Sequence, residues 1–84
     1  MEMTHIYYVY EYKGNDEHDI KPYKSCKIIS VEKSRLTNGM ITQSVYVDMM
    51  QKAREMIADD NNIEYSELSY QDIIITFWSE ICHG

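Results

Sequence analysis

Acidic side chains accumulate at the C-terminal end of this sequence, in a stretch from which basic side chains are missing. After Arg54 there is no Lys or Arg, whereas even placement of the eight bases of the chain would put about three of them there. The acids that follow Arg54 are Glu55, Asp59, Asp60, Glu64, Glu67, Asp72 and Glu80. Paired carboxylates can perform acid–base chemistry, but no pair among these has a sequence context that would bury it. We therefore expect these residues to present negative charge to a basic partner.

The other reactive side chains lack the spacing of a metal site or a catalytic motif. The stretch 60–71 alternates oxygen ligands as an EF-hand loop does, but it has Tyr65 where the loop needs Gly and Gln71 where it needs Glu. The nitrogen and sulfur ligands form no Cys-x-x-Cys or His-x-x-x-His pair; they are His5, His18, His83, Cys26 and Cys82. Nucleophile-elbow, Walker and dinucleotide-binding motifs do not occur. We expect no enzymatic activity, no metal and no cofactor.

Length and composition are typical of one small domain covering residues 1–84. A chain of 84 residues has little room for a dedicated catalytic cleft, which favours a binding function. The sequence shows no signal peptide and no apolar run long enough for a membrane span, so a cytoplasmic location is expected. In that compartment Cys26 and Cys82 are predicted to be buried thiols rather than a disulfide.

The net charge is divided unevenly between the two halves of the chain. Residues 1–40 contain six acids and six bases, so the whole net charge of −6 lies in residues 41–84. Within the neutral half, residues 21–35 form a local basic segment with a single acid, Glu32. Its bases are Lys21, Lys24, Lys27, Lys33 and Arg35.

Three stretches have the composition of β-strands, and they cover residues 4–12, 26–35 and 71–81. In the first stretch Tyr8, Tyr10 and Tyr12 fall on one face, while Tyr7 and Val9 fall on the other. Neither face is plainly polar, which predicts a strand that is central or packed on both sides. For the last stretch a helix remains an alternative, because residues 70, 74, 77 and 81 also form a helical stripe.

The stretch before the acidic end has two interpretations. Asn38 and Gly39 tolerate positive φ and predict a type I′ turn, which would make residues 40–47 a strand paired with the preceding one. Alternatively a helix begins near Thr42, since Val45 and Tyr46 extend the apolar arc of the following residues. Because Ile, Thr and Val favour strands, we prefer the strand.

Residues 48–60 are predicted to form an amphipathic helix. Asp48 is its expected N-cap, with Gln51 as the capping-box partner and Lys52 as an ion-pair partner. The predicted fold is therefore α+β: a small antiparallel sheet of three to four strands (about 4–12, 26–35, optionally 40–47, and 71–81) with one helix (about 48–60) packed on one face.

The end of this helix breaks local rules. Asp59 and Asp60 lie at the negative end of the helix dipole, and Glu55 and Asp59 form a like-charge i,i+4 pair. Unfavourable charges without a visible structural gain are typical of functional sites. The alternative is that the helix frays early and that these acids are simply solvated.

The function predicted from this pattern is a small acidic protein-binding module. In size and acidity the chain resembles the small phage-encoded inhibitors of host or defence enzymes, including DNA mimics and some anti-CRISPR proteins. The resemblance is one of composition and covers no motif. It implies a viral protein that presents a carboxylate-rich face to the basic groove of a nucleic-acid-binding enzyme. The expected contact residues are Glu55, Asp59, Asp60, Glu64, Glu67 and Asp72.

Two other functions remain open. The tyrosine-rich first strand and the basic segment 21–35 could form a small nucleic-acid-binding domain, although the net charge argues against direct binding. A homodimer is the third possibility, with the basic segment of one copy meeting the acidic half of another.

Overall fold

The tyrosine-rich N-terminal stretch forms the central strand of the sheet. The computed structural model describes residues 2–81, in which strands β1 (Met3–Tyr12), β2 (Tyr23–Glu32) and β5 (Ile73–Ile81) form an antiparallel sheet of order β2-β1-β5. The α+β prediction is confirmed, as are strand formation by the last stretch and the central position of the first.

The two faces of β1 differ in burial. Thr4, Ile6, Tyr8, Tyr10 and Tyr12 are buried, whereas the alternate residues are only half-buried. The strand is thus covered on one face, and the alternative of packing on both sides is wrong.

One helix, α1, covers that buried face and runs from Gln43 to Asn61. The predicted strand over 40–47 is wrong, and the alternative start near Thr42 is correct, since Thr42 occupies the N-cap position. Burial explains the outcome, because Val45 is fully buried and continues the apolar stripe of the helix. The low helix propensity of Val and Thr costs only a few tenths of a kcal/mol per residue, which such burial exceeds.

A short hairpin precedes the helix. Strands β3 (Leu36–Thr37) and β4 (Met40–Ile41) pair around Asn38 and Gly39, whose φ angles are 54° and 75°. The predicted turn with positive φ at both residues is confirmed, but it joins these two short strands rather than extending β2.

The predicted N-terminal contacts of the helix are wrong. Asp48 lies inside α1 and forms an ion pair of 2.8 Å with Arg35, while Lys52 pairs with Glu55 at 3.3 Å. The Thr42 hydroxyl donates to the Arg35 carbonyl at 2.9 Å instead of accepting from a helix amide. The two contacts of Arg35 connect the residue before the hairpin to the beginning of the helix.

The C-terminal end of α1 is closed by a Schellman-type turn. Asn62 adopts a left-handed conformation with φ 54°, and its amide donates to the Asp59 carbonyl. The next amide, of Ile63, donates to the Ala58 carbonyl at 3.1 Å. The helix therefore extends past Asp59 and Asp60, and the alternative of early fraying is wrong.

A β-bulge in β5 decides which aromatic side chains face the helix. Val9 is paired with Phe77 but the adjacent Tyr10 is paired with Ile75, so Thr76 is an extra residue. Trp78 consequently packs against the core, while Phe77 lies on the opposite face with its ring 6.3 Å from that of Tyr7.

Candidate functional site

Three of the six predicted contact residues line one surface depression at the end of α1, which we name the acidic depression. It has a volume of about 510 Å³. Its lining residues are Gln51, Glu55, Ala58, Asp59, Ile63, Glu64 and Tyr65. The structure therefore brings together Glu55, Asp59 and Glu64.

Local folding explains this grouping. Glu55 and Asp59 are one helical turn apart, so their side chains leave the same face of α1. The Schellman-type turn then reverses the chain and places Glu64 across from them. Leu68, which is buried in the core, holds the returning segment in place.

Arg54, the last base of the sequence, fastens this segment to the helix. Its guanidinium lies over the rings of Tyr65 and Tyr70, at 4.0 and 4.6 Å from their centroids. The two hydroxyls are 3.0 Å apart, and this contact, helped by Arg54, lowers the pKa of Tyr70 while the same contact raises that of Tyr65. We name this contact of Arg54 with the two tyrosines the Arg54 clamp. Because it joins the helix to a loop, no periodic pattern in the sequence predicts it.

The other three predicted contact residues do not line the acidic depression. Asp60 is exposed, and its charge adds to the larger effect of burial in raising the pKa values of Tyr10 and Tyr23. Glu67 lies 3.4 Å from the His18 imidazole. The backbone carbonyl of Asp72 accepts a hydrogen bond from the Lys13 amide at 2.9 Å. The six acids therefore do not all line one depression.

The basic segment 21–35 is largely paired with acids elsewhere in the fold. Lys24 lies 3.2 Å from Glu11, and Lys33 lies 3.8 Å from Glu2. Arg35 is held by the helix as described above. These pairs reduce the positive charge that the segment offers to a partner.

The tyrosines considered for base stacking mostly face the helix. Tyr8, Tyr10 and Tyr12 are buried, and the Tyr8 hydroxyl donates to the Met49 carbonyl at 2.8 Å. Of the four tyrosines of β1, only Tyr7 lies on the face that the helix leaves uncovered.

That uncovered side of the sheet, which we name the open face, is a surface that sequence reasoning missed. It has exposed apolar residues on both outer strands: Ile28 of β2 is 54%, and Phe77 and Ile74 of β5 are 53% and 45% exposed. Cross-strand register pairs Met3 of β1 with Glu32 of β2 at one end and places the other residues in four rows of three. The rows, each written in the order β2, β1, β5, are Ser30–His5–Ile81, Ile28–Tyr7–Ser79, Cys26–Val9–Phe77 and Lys24–Glu11–Ile74.

The position of Cys26 on the open face corrects one prediction. Its thiol is free and exposed rather than buried, because β2 points it away from the helix. Cys82 lies outside the described residues. The mixed polarity of residues 5, 7, 9 and 11 could have indicated that this side of β1 is not covered by the helix. The bulge that places Phe77 on the same side could not be predicted from a two-residue alternation.

A second apolar feature lies on the helix layer. Tyr46, Val47, Met50 and Tyr70 line a groove of about 210 Å³, which we name the apolar groove. Its Tyr70 also belongs to the Arg54 clamp, so the apolar groove adjoins the segment that carries Glu64.

A metal site, a membrane span or a similar known protein would each indicate a function. Within residues 2–81 no group of three His, Cys, Asp or Glu side chains is arranged to hold a metal ion. No helix in that range has the length and apolar character required to cross a membrane. Family models, curated proteins and solved structures contain no match to this chain, so its function has to be inferred from its own surfaces.

Proposed function

We propose that this protein is a small acidic protein-binding module. It acts as an inhibitor or regulator that presents carboxylates to the basic groove of a nucleic-acid-binding protein, as DNA mimics and anti-CRISPR proteins of phages do. The observation that supports the proposal is the acidic depression, where Glu55, Asp59 and Glu64 surround one concave surface at a firmly closed helix end.

These carboxylates have few internal partners. Among residues 2–81, the ion pairs involve neither Asp59 nor Glu64, and Glu55 is paired only with the exposed Lys52. An acid at a helix C-terminus is unfavourable by about 0.3–1 kcal/mol, and no ion pair among residues 2–81 offsets this for Asp59. A basic partner would provide that compensation.

Rigidity makes the surface suitable for binding. The Schellman-type turn and the Arg54 clamp fix the backbone on both sides of the depression, so little conformational entropy is lost when a partner binds. A groove lined by Lys and Arg that accepts phosphates would accept these carboxylates through charge-assisted hydrogen bonds. Association would be electrostatically steered and would weaken as salt rises.

The test is affinity capture of nucleic-acid-binding proteins from a host lysate at low and high salt. The wild-type protein is expected to retain such a protein at low salt, to release it at high salt, and to release it when double-stranded DNA or RNA is added as competitor. Reversing Glu55, Asp59 and Glu64 to Lys should abolish the capture.

A control with the same charge change separates a specific surface from net charge. Reversing Glu2, Asp16 and Glu17 to Lys alters three exposed acids that do not line the depression. Capture should survive this change with at most a few-fold loss. Capture that persists after reversal of the depression acids, or that fails equally in the control, would contradict the proposal.

A further inference from the structure

The open face carries apolar area that the fold itself does not cover. Ile28 on β2 and Phe77 and Ile74 on β5 are each about half exposed, and Tyr7 and Val9 of the central strand lie between them. The Phe77 ring is placed there by the β-bulge. A contiguous apolar patch rimmed by polar groups is typical of an interaction site.

The charge of the open face differs from that of the rest of the molecule. It contains two acids and one lysine: Glu11 and Lys24 are paired with each other at 3.2 Å, and Glu32 lies at the end of the face beside Met3. The face therefore carries one net negative charge in a chain with a net charge of −6. Two copies can meet through this face without opposing their acidic ends, whereas contact through the helix layers would bring the carboxylates of both copies together.

The dimensions fit a modest interface. Three strands about 4.8 Å apart and about nine residues long give a face of roughly 14 × 30 Å, or about 400 Å² in projection for each copy. Two such faces bury roughly 800 Å² in projection, and more in accessible area once the side chains interdigitate. The projected area is below the about 1,200 Å² that the smaller specific interfaces bury in total, which corresponds to weak, reversible association.

The rows are also compatible with two-fold symmetry. Consider a two-fold axis that lies in the interface, perpendicular to the strands and between the rows of Tyr7 and Val9. It places the Tyr7 row of one copy against the Val9 row of the other. The row of Glu11 then meets the row of His5, and Phe77 meets the small Ser79. A large residue against a small one is compatible with the self-complementary surface that an isologous contact requires.

We propose that a second copy of this chain covers the open face and forms a homodimer in which two sheets pack face to face with the helices outside. The sheets would lie about 10 Å apart, as in β-sandwiches. The proposal does not depend on the function of the acidic depression, and it differs from a charge-mediated dimer because its contact is apolar.

The test is the mass of the purified protein in solution, measured by sedimentation velocity or light scattering from low micromolar to submillimolar concentration. The wild type should move from 10.0 kDa toward twice that mass as the concentration rises. Because the contact is apolar, added salt should leave the dimer intact or strengthen it. Dissociation on adding salt would overturn the proposal in favour of the basic segment meeting the acidic half.

Matched variants locate the contact. Phe77→Lys should raise the dimer dissociation constant by more than about tenfold, since it buries a charge twice in a symmetric interface. Val47→Lys adds the same charge at a valine that is 50% exposed in the apolar groove, and it should leave the dimer unchanged. A monomer at every concentration, or a dimer weakened only by Val47→Lys, would overturn the proposal.

A second readout does not depend on the folding of the Phe77 variant. In a Cys82→Ser background the only thiol is Cys26, which is exposed in the single chain. Its rate of reaction with a maleimide should fall several-fold as the protein concentration rises into the dimer range. A rate that is independent of concentration would contradict dimerisation through the open face and would leave the acidic depression unaffected.

Discussion

The two faces of the central sheet have similar side chains but different environments. On the face toward α1, Ile6, Tyr8 and Tyr10 are fully buried, whereas on the open face Ile28 and Phe77 remain about half exposed. The chain has two apolar sheet faces and one helix to cover them. The difference shows that hydrophobicity along a strand predicts which residues need covering, while the number of covering elements decides which of them are covered within one copy.

The largest expected effect is a difference in the loss of stability between an Ile→Ala substitution on the helix face and one on the open face. Ile6→Ala removes a side chain with no exposure and should lower the free energy of unfolding by about 2–5 kcal/mol, through lost burial and the cavity left behind. Ile28→Ala removes one that is 54% exposed and should cost less than about 1 kcal/mol. Urea unfolding at low micromolar concentration measures both. Equal losses would mean that the open face is already covered at that concentration.

The tyrosines of the helix face should make the protein sensitive to alkali. Burial raises the pKa of Tyr8 and of Tyr10 above the usual value of 10.0, so the folded state holds these protons more tightly than the unfolded state. Their contribution to stability is fully present below pH 10 and is lost as the pH rises toward the folded pKa values. The slope is about 1.4 kcal/mol per pH unit for each such group.

Denaturant unfolding at a series of pH values above 9 measures this loss. Replacing Tyr8 and Tyr10 together by Phe should flatten the profile, whereas Tyr7→Phe on the open face should leave it steep. A profile that stays equally steep without the two buried phenols would assign the alkaline loss to other groups.

A smaller difference in the free energy of unfolding is expected between removing the Tyr8 hydroxyl and removing the Tyr12 hydroxyl. Tyr8→Phe removes the hydrogen bond to the Met49 carbonyl and should cost about 0.5–1.5 kcal/mol. The hydroxyl of Tyr12 is buried without a hydrogen-bond partner, although Asn15 is close enough to influence its pKa. Tyr12→Phe should therefore be neutral or slightly stabilising in the same unfolding assay. A loss for Tyr12→Phe as large as that for Tyr8→Phe would point to a hydrogen bond of the Tyr12 hydroxyl with Asn15 or with a bridging water.

The smallest effect concerns the acidic end of the helix. Asp59→Asn removes a negative charge from the helix C-terminus and should raise the free energy of unfolding by about 0.3–1 kcal/mol at low salt. The same change should weaken capture of a basic partner. Gln51→Ala, at another residue of the depression, serves as the uncharged control. A destabilising effect of Asp59→Asn would show that this carboxylate has a structural role.

Local patterns were sufficient to predict much of the fold. Aromatic and β-branched residues identified β1 and β5, and the dipeptide Asn38-Gly39 identified the turn. The start of α1 near Thr42 was the alternative rather than the preferred prediction, because the strand propensities of Ile41, Val45 and Val47 compete with helical periodicity, and only burial decides between them.

The candidate site was less predictable, because it depends on contacts between distant residues. Glu55 and Asp59 could be placed together by helical spacing, but the position of Glu64 depends on the Schellman-type turn and the Arg54 clamp. The open face depends on the bulge at Thr76, which changes the side that Phe77 faces. A bulge shifts the alternation by one residue and leaves no mark in the composition of the strand.

The placement of the helix and the open face on opposite sides of one sheet has a consequence for valency. A pair of copies joined through their open faces has both helix layers outside, and therefore carries two acidic depressions on one particle. A target that itself has two basic grooves, such as a dimeric enzyme, would be engaged twice, and the second contact would form at a high effective concentration. The overall affinity of such bivalent binding can exceed the affinity of a single contact by about 10²–10⁴. A pair of copies would then bind such a target tightly even if each acidic depression alone binds weakly.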